Sequence, residues 1–300
     1  MKTKIALTSG NDRFRNIESA LKLIEGDIDL TSKSDILIKV NFVNTRIQAA
    51  STHVDGVKIL LDFIRKRYDR KVTIVEFSLQ VPARQAYENF GYMDLLKDYD
   101  VDMVDLVDDD WQVFHLYDSR LQQMDIRYSK RMLTSDYLIS IGPPKTHDIV
   151  ITTNSIKNIA MGGPVRYEDK VRIHQGPVAA NLDIYLMAAK NRPDLSIIDG
   201  FTAMEGDGPI FGEAFDWKIA VAGCDAVATD SFTTDLMGFP PEDIGYLYYL
   251  ARKGYGNGNI EEMEILGENP DNHRRQFKPH PGYERQRQWA DERVNKILGI

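Results

Sequence analysis

Short apolar runs alternate along most of the chain with segments whose apolar residues recur every three or four positions. KIALTS, DILIKVN, KVTIVEFS, VDMVDLV, DYLISIG, LSIIDG and KIAVAG have the length and apolar density of strands. Between them, NIESALKLI, VDGVKILLDFIRKR, ARQAYENFGYMDLLKDY and NLDIYLMAAKN carry the period of amphipathic helices, with Val54, Val57, Leu60, Leu61 and Ile64 on one face. Strand and helix in regular alternation are what βαβ units produce. The pattern therefore predicts an α/β fold with a mixed, largely parallel sheet and helices on both faces.

One segment breaks the rhythm. WQVFHLYDSRLQQMDIRYSKRML holds two alternating stretches about a DSR turn, which predicts an antiparallel hairpin inserted into the fold. No internal repeat or low-complexity linker interrupts the chain, so residues 1–270 are expected to form a single α/β domain. Residues 271–300, which begin DNHRRQFKPHPGYERQRQW, are rich in charge and poor in aliphatics, and predict a peripheral C-terminal extension with a terminal helix.

Composition narrows the partners. With 45 acidic and 37 basic residues and a net charge of −8, the chain is not expected to bind nucleic acid. A lone cysteine, Cys224, excludes an internal disulfide, a CxxC redox pair and a cluster held by four thiolates of this chain, so no iron–sulfur cluster is expected. The start, MKTKIALTSGNDRF, has too short an apolar run for a signal peptide, and no stretch nears roughly 18 continuous apolar residues. A cytoplasmic protein without a membrane partner is expected.

Open α/β sheets bind ligands beyond the carboxyl ends of their strands, so polar clusters that follow strands are the candidate chemistry. After DILIKVN, Lys39 and Asn41 share a side of the strand, followed by THVDG, where Ser51 or Thr52 is placed to cap a helix and His53 is the site alternative. VEFS puts Glu76 and Ser78 at another strand end. The stretch PPKTHDIVITTNSIKNIAMGGP is densest: Lys145 and His147 two apart, Ser155 and Lys157 repeating that relation, then Asn158 and the flexible pair Gly162-Gly163. Two lysines, hydroxyls and glycine amides suit a carboxylate or phosphate. VRIHQGP adds His174 before a helix, and DGFTAMEGDGPIFGE adds Asp199, Glu205 and Asp207 in a tight loop. In CDAVATD, Asp225 is expected to cap a helix that carries Asp230.

As a set, these residues resemble the domain-of-unknown-function 362 family. The resemblance runs from Lys39 to Gly267 and rests on K-x-N at Lys39 to Asn41, P-K-x-H at Pro144 to His147, S-x-K-N at Ser155 to Asn158, His174, D-G-x-x-A-M-E-G-x-G-P at Asp199 to Pro209, and D-A-V-A-x-D at Asp225 to Asp230. KVNFV stands where the family commonly has KPNLV, and the ferredoxin-type cysteines of many members are missing. Their iron–sulfur label is therefore not carried over. The resemblance implies that the clusters form one site. A more remote likeness, at the level of fold, is to the nickel-dependent lactate racemases, where histidines and a lysine that holds a pincer-type cofactor suggest His147, His174 and Lys157 as analogues.

Two functions follow from these residues. The first is a cytoplasmic enzyme acting on a small anionic metabolite: Lys39, Asn41, Lys145, Ser155, Lys157 and Asn158 bind it, His147 or His174 moves a proton, and Glu205, the third catalytic candidate, orients a histidine together with Asp230. Glu205 and Asp230 are the candidate ligands of a divalent metal, the one cofactor class the residues suggest. Lys39, Lys145, His147, Lys157, His174 and Glu205 are then expected to line one cleft. The alternative is a non-catalytic ligand-binding protein, an accessory of a separate iron–sulfur or redox protein; a homo-oligomer is compatible with either. No GxGxxG, Walker A, HExxH or GxSxG frame selects a reaction.

Overall fold

The computed structural model describes residues 2–78 and 82–300. Its strands are β1 (Thr3–Ser9), β2 (Ile36–Lys39), β3 (Val72–Glu76), β4 (Val101–Asp105), β5 (Trp111–Tyr117), β6 (Gln123–Ser129), β7 (Tyr137–Gly142), β8 (Lys145–His147), β9 (Ile151–Thr153), β10 (Leu195–Glu205), β11 (Glu213–Gly223) and β12 (Met263–Gly267). Its helices are α1 (Arg13–Leu23), α2 (Val54–Ile64), α3 (Ala83–Asn89), α4 (Leu95–Asp98), α5 (Lys130–Thr134), α6 (Ser155–Ala160), α7 (Tyr167–Arg172), α8 (Gly176–Lys190), α9 (Ala226–Leu236), α10 (Gly245–Arg252), α11 (Tyr283–Gln286) and α12 (Glu292–Leu298).

The central sheet runs β12-β1-β11-β10-β7-β2-β3-β4. Strands β10, β7, β2, β3 and β4 pair in parallel, and β11 lies antiparallel between β10 and β1. This is the mixed, largely parallel sheet that the alternation predicts. In β2, Ile36 and Ile38 belong to the core cluster that holds the buried residues of α1 and α2, while Leu37 belongs to the separate cluster that holds Ile156 and Ile159 of α6. A strand covered on both faces has no polar side, hence the unbroken apolar run.

Strands β5 and β6 form a separate two-stranded antiparallel sheet, the hairpin expected at the DSR turn. The single helix expected over ARQAYENFGYMDLLKDY is instead α3 and α4, parted at Gly91, whose φ of 76° lies in the left-handed region that ends a helix. The C-terminal segment, residues 271–300, ends in α12 and packs into the fold through aromatics: Phe277 is wholly buried against Phe215 and Trp217, and Trp289 packs on Tyr248 and Tyr249. Few aliphatics are needed when aromatics make the contacts.

Candidate functional site

Strands β2 and β7 are neighbours in the sheet although four strands separate them in the chain. From β2 the chain moves outward to β3 and β4, and later returns to β7 on the other side. Connections that diverge in this way leave a crevice at the carboxyl ends, where Lys39 closes β2 and Gly142 closes β7.

The floor of the crevice is a buried polar network. Lys39 Nζ donates to Glu76 Oε1 at 2.6 Å, to Val40 O at 2.7 Å and to Asn158 Oδ1 at 3.4 Å. Glu76 also accepts from the Phe42 amide at 2.5 Å and the Phe77 amide at 2.7 Å. Lys39 and Glu76 are 1% and 2% exposed, and an ion pair so buried persists only where each charge has such additional partners. Burial still lowers the Lys39 pKa, against the pull of Glu76. Asn41 donates to Asn158 Oδ1 at 3.0 Å and accepts from Lys145 Nζ at 2.6 Å, and Lys145 also donates to Ala50 O at 2.6 Å. Side chains from β3, β2, α6 and β8 are thereby tied into one chain.

Above this floor lies a cavity of about 500 Å³, a volume suited to a small metabolite. Phe42, Phe77, Ile149, Met161, Val171 and Ile210 supply its apolar lining. Lys157 lines it from α6; its ammonium has no hydrogen-bond partner among the described residues, and burial lowers its pKa to about 8. Lys170 enters from α7, donates to Phe77 O at 3.0 Å and lies 4.2 Å from the Phe77 ring centroid. Burial brings Lys170, and Lys145 behind the wall, down to about 7.

Two histidines face each other here, their ring centroids 6.3 Å apart and their planes 24° from parallel. His174 Nδ1 lies 2.6 Å from Lys170 O, and a carbonyl only accepts, so Nδ1 holds the proton and Nε2 the lone pair. His147 Nδ1 accepts from the Ile149 amide at 3.0 Å, which gives the neutral ring the opposite tautomer, with its proton on Nε2. The Asp148 carboxylate also lies 3.0 Å from Nδ1 and pairs electrostatically with the ring only when the ring is charged. Burial, with Lys157 nearby, holds His147 down to about 3 and His174 to about 4, so both are neutral near pH 7. His147 is presented by a β8–β9 hairpin in which Ile151 adopts φ 68°, a left-handed conformation that is costly for a β-branched residue.

Lys39, Asn41, His147, Lys157, Asn158 and His174 therefore line one cavity. Lys145, Ser155, Glu205 and Asp230 are placed outside its lining. Ser155 was expected to share a side with Lys157 in an extended stretch, but both belong to α6, where two positions turn the side chain by roughly 200°. Ser155 Oγ meets Ser196 Oγ at 2.7 Å instead. Asp230 spends both carboxylate oxygens on the amides of Ser155 and Ile156, at 2.9 and 2.8 Å, and burial raises its pKa to about 7. Glu205 is carried past the crevice by the long strand β10 and binds the C-terminal extension through the Lys278 amide and Arg275. Among the described residues, no group of three or more His, Cys, Asp or Glu is placed to hold a metal ion.

The smaller expectations divide similarly. Asp225 caps α9 through the Ala228 amide, as expected. The cap of α2 is His53 itself, whereas Thr52 joins the Asn41 amide to Ile141 O across the crevice. The glycine pair serves close packing rather than flexibility, since a Cβ on Gly162 would lie 2.5 Å from Lys39 Cε and one on Gly163 2.0 Å from the Tyr128 ring. Lys170 and Asp148 were missed. The spacing of Lys170 and His174, four apart as on one helical face, was the available signal for the first.

A sequence profile described as "Domain of unknown function (DUF362)" matches residues 36–235. A thylakoid-associated protein of Synechocystis sp. is 29% identical over 179 residues, 57% of this chain and 53% of that protein, so the chain spans about half the length of this curated relative. Among solved structures, the lactate racemase apoprotein from Thermoanaerobacterium thermosaccharolyticum is 17% identical with a TM-score of 0.46, over 76% of this chain and 58% of that one. A protein from Thermotoga maritima is 12% identical with a TM-score of 0.41, over 71% and 56%. No helix among the described residues is long and apolar enough to cross a membrane.

Proposed function

The chain belongs to the DUF362 family, and from the residues of its crevice we propose that it is an enzyme acting on a small metabolite with a carboxylate or phosphate at one end and an apolar body. Lys157 and Lys170 hold the anion, and Phe42, Phe77, Met161 and Ile210 cover the body. With both Nδ1 atoms engaged, each histidine has only Nε2 left for a ligand. His174 accepts a proton from the bound molecule at Nε2, and the neutral His147 ring donates a hydrogen bond to it from Nε2–H.

The observation that carries this reading is the Lys157 ammonium: buried, lining the cavity and without a hydrogen-bond partner among the described residues. A buried charge left unpaired is unfavourable, and an anion in the cavity removes that cost. The test is a melting-curve screen with phosphate and small carboxylates, repeated on Lys157→Met. Saturable stabilisation of the wild type, absent in the variant, supports the site. Equal responses from the two proteins would remove Lys157 from it.

A further inference from the structure

The cavity has three lysines in its lining, and their partners differ. Lys39 has an acid of its own, Glu76, at 2.6 Å. Among the described residues, Lys170 donates only to the Phe77 carbonyl, a neutral acceptor, which leaves two of its three ammonium protons unassigned there. Lys157 has no hydrogen-bond partner among the described residues. Behind the wall, Lys145 adds a third ammonium bound only to neutral oxygens, Asn41 Oδ1 and Ala50 O.

The acids nearby are committed. Glu76 belongs to Lys39 and to two backbone amides. Asp148, about half exposed, lies 3.0 Å from the uncharged Nδ1 of His147 and reaches Lys157 only through its field. Asp105 at the end of β4 is held by the amides of Ala83 and Val107. The two imidazoles are neutral and contribute no charge. Among the described residues, neither Lys157 nor Lys170 has a carboxylate within ion-pair distance; Asp148 and Glu76 act on them only from farther off.

Resting on the anion site proposed above, we infer that the ligand is a dianion, a phosphate monoester or a dicarboxylate, which bridges Lys157 and Lys170 and draws protons from solution onto these lysines as it binds. A monoanion satisfies one ammonium and leaves the other as costly as before. A dianion satisfies both, and does so between groups that repel each other when both are charged. Burial holds Lys157 near 8 and Lys170 near 7, so a fraction of each is neutral at pH 8 in the empty protein. Two negative charges raise both, and the protons come from the buffer. Affinity for the dianion is then highest where the lysines are already charged and falls as pH rises through about 8 and beyond.

The experiment uses the full chain and paired probes of nearly equal shape. Phenyl phosphate carries two charges at pH 8 and phenyl sulfate one; succinate carries two and succinamate one. Calorimetric titration in two buffers of different ionisation enthalpy gives affinity and the number of protons taken up. The expected result is at least about tenfold tighter binding of the dianion in one pair, with a larger net proton uptake than its monoanion shows. A preference within the first pair identifies a phosphate monoester, and within the second a dicarboxylate. Lys170→Met is expected to reduce the dianion's affinity to that of the monoanion while monoanion binding persists. Equal binding of dianion and monoanion, both lost in Lys157→Met, would overturn the dianion inference and leave the anion site standing. Binding of neither pair would overturn both. Should Lys170→Met fail to fold, proton uptake by the wild-type protein decides alone: dianion binding without uptake sinks the inference.

Discussion

His147 and His174 stack with opposite tautomers, each fixed at Nδ1 by a backbone group of the other kind: an amide N–H for His147 and a carbonyl for His174. One ring thus offers an acceptor at Nε2 where the other offers a donor. Nitrogen-detected NMR is expected to show the proton on Nε2 of His147 and on Nδ1 of His174 at pH 7. The same tautomer on both rings would contradict the assignment.

Both rings also bear on acid stability. Their folded pKa values, about 3 and about 4, lie below the ordinary 6.5, so the stability they contribute is present above pH 6.5 and is lost as pH falls toward 4. A His174→Gln variant cannot titrate at this position. Its denaturation midpoint is expected to fall less steeply than the wild type's between pH 6.5 and 4, and parallel curves would refute this.

The pair Lys39 and Glu76 yields a sharper stability prediction. Glu76→Gln leaves a wholly buried ammonium without its acid and is expected to cost about 3–5 kcal/mol in urea unfolding. The double variant Lys39→Met, Glu76→Leu removes both charges and is expected to recover much of that loss. A double variant as unstable as the single one would show that the network, rather than the charge, holds the crevice closed.

The sheet was legible because its central strands are covered on both faces: Ile36, Leu37 and Ile38 leave no polar position to obscure the run. The hairpin at residues 111–129 was legible for the opposite reason, alternation about a turn. The site was legible only as a collection of residues. Lys39, Asn41, His147, Lys157, Asn158 and His174 follow strands or lie beyond them, and the switch point brings them together. Glu205 misled because its motif reads as one loop, whereas β10 runs to Glu205 itself and delivers its carboxylate elsewhere. Lys170 escaped because α7 is a single short turn and a half with no apolar period to announce it.

Gly163 gives a test of close packing against flexibility. Gly163→Ala drives a Cβ into Cζ, Cε2 and the hydroxyl of Tyr128, a wholly buried side chain whose hydroxyl donates to Ile159 O. The ring has nowhere to retreat, and overpacking of this kind costs about 1–3 kcal/mol. A lowered melting temperature is expected. An unchanged one would restore the view of the glycine pair as a hinge.

The last prediction concerns Lys157 in the empty protein. Its folded pKa of about 8 lies below the 10.5 of the unfolded chain, and burial is the main cause. A depressed pKa means that the unfolded state binds the proton more tightly. Stability is therefore diminished at neutral pH and recovers as pH rises from about 8 toward 10.5. Lys145 and Lys170 act with the same sign, so the wild-type slope alone does not isolate Lys157. The comparison with Lys157→Met does. Methionine keeps most of the side-chain volume and removes the charge, so at pH 7 the variant is expected to be as stable as the wild type or more so, by up to about 3 kcal/mol. At pH 10 the two should converge. The check is a pair of urea unfolding series across pH 7–10 in a buffer free of phosphate and carboxylate. Parallel curves would mean that Lys157 is no cost to the empty fold, and would leave no thermodynamic reason for the cavity to hold an anion there.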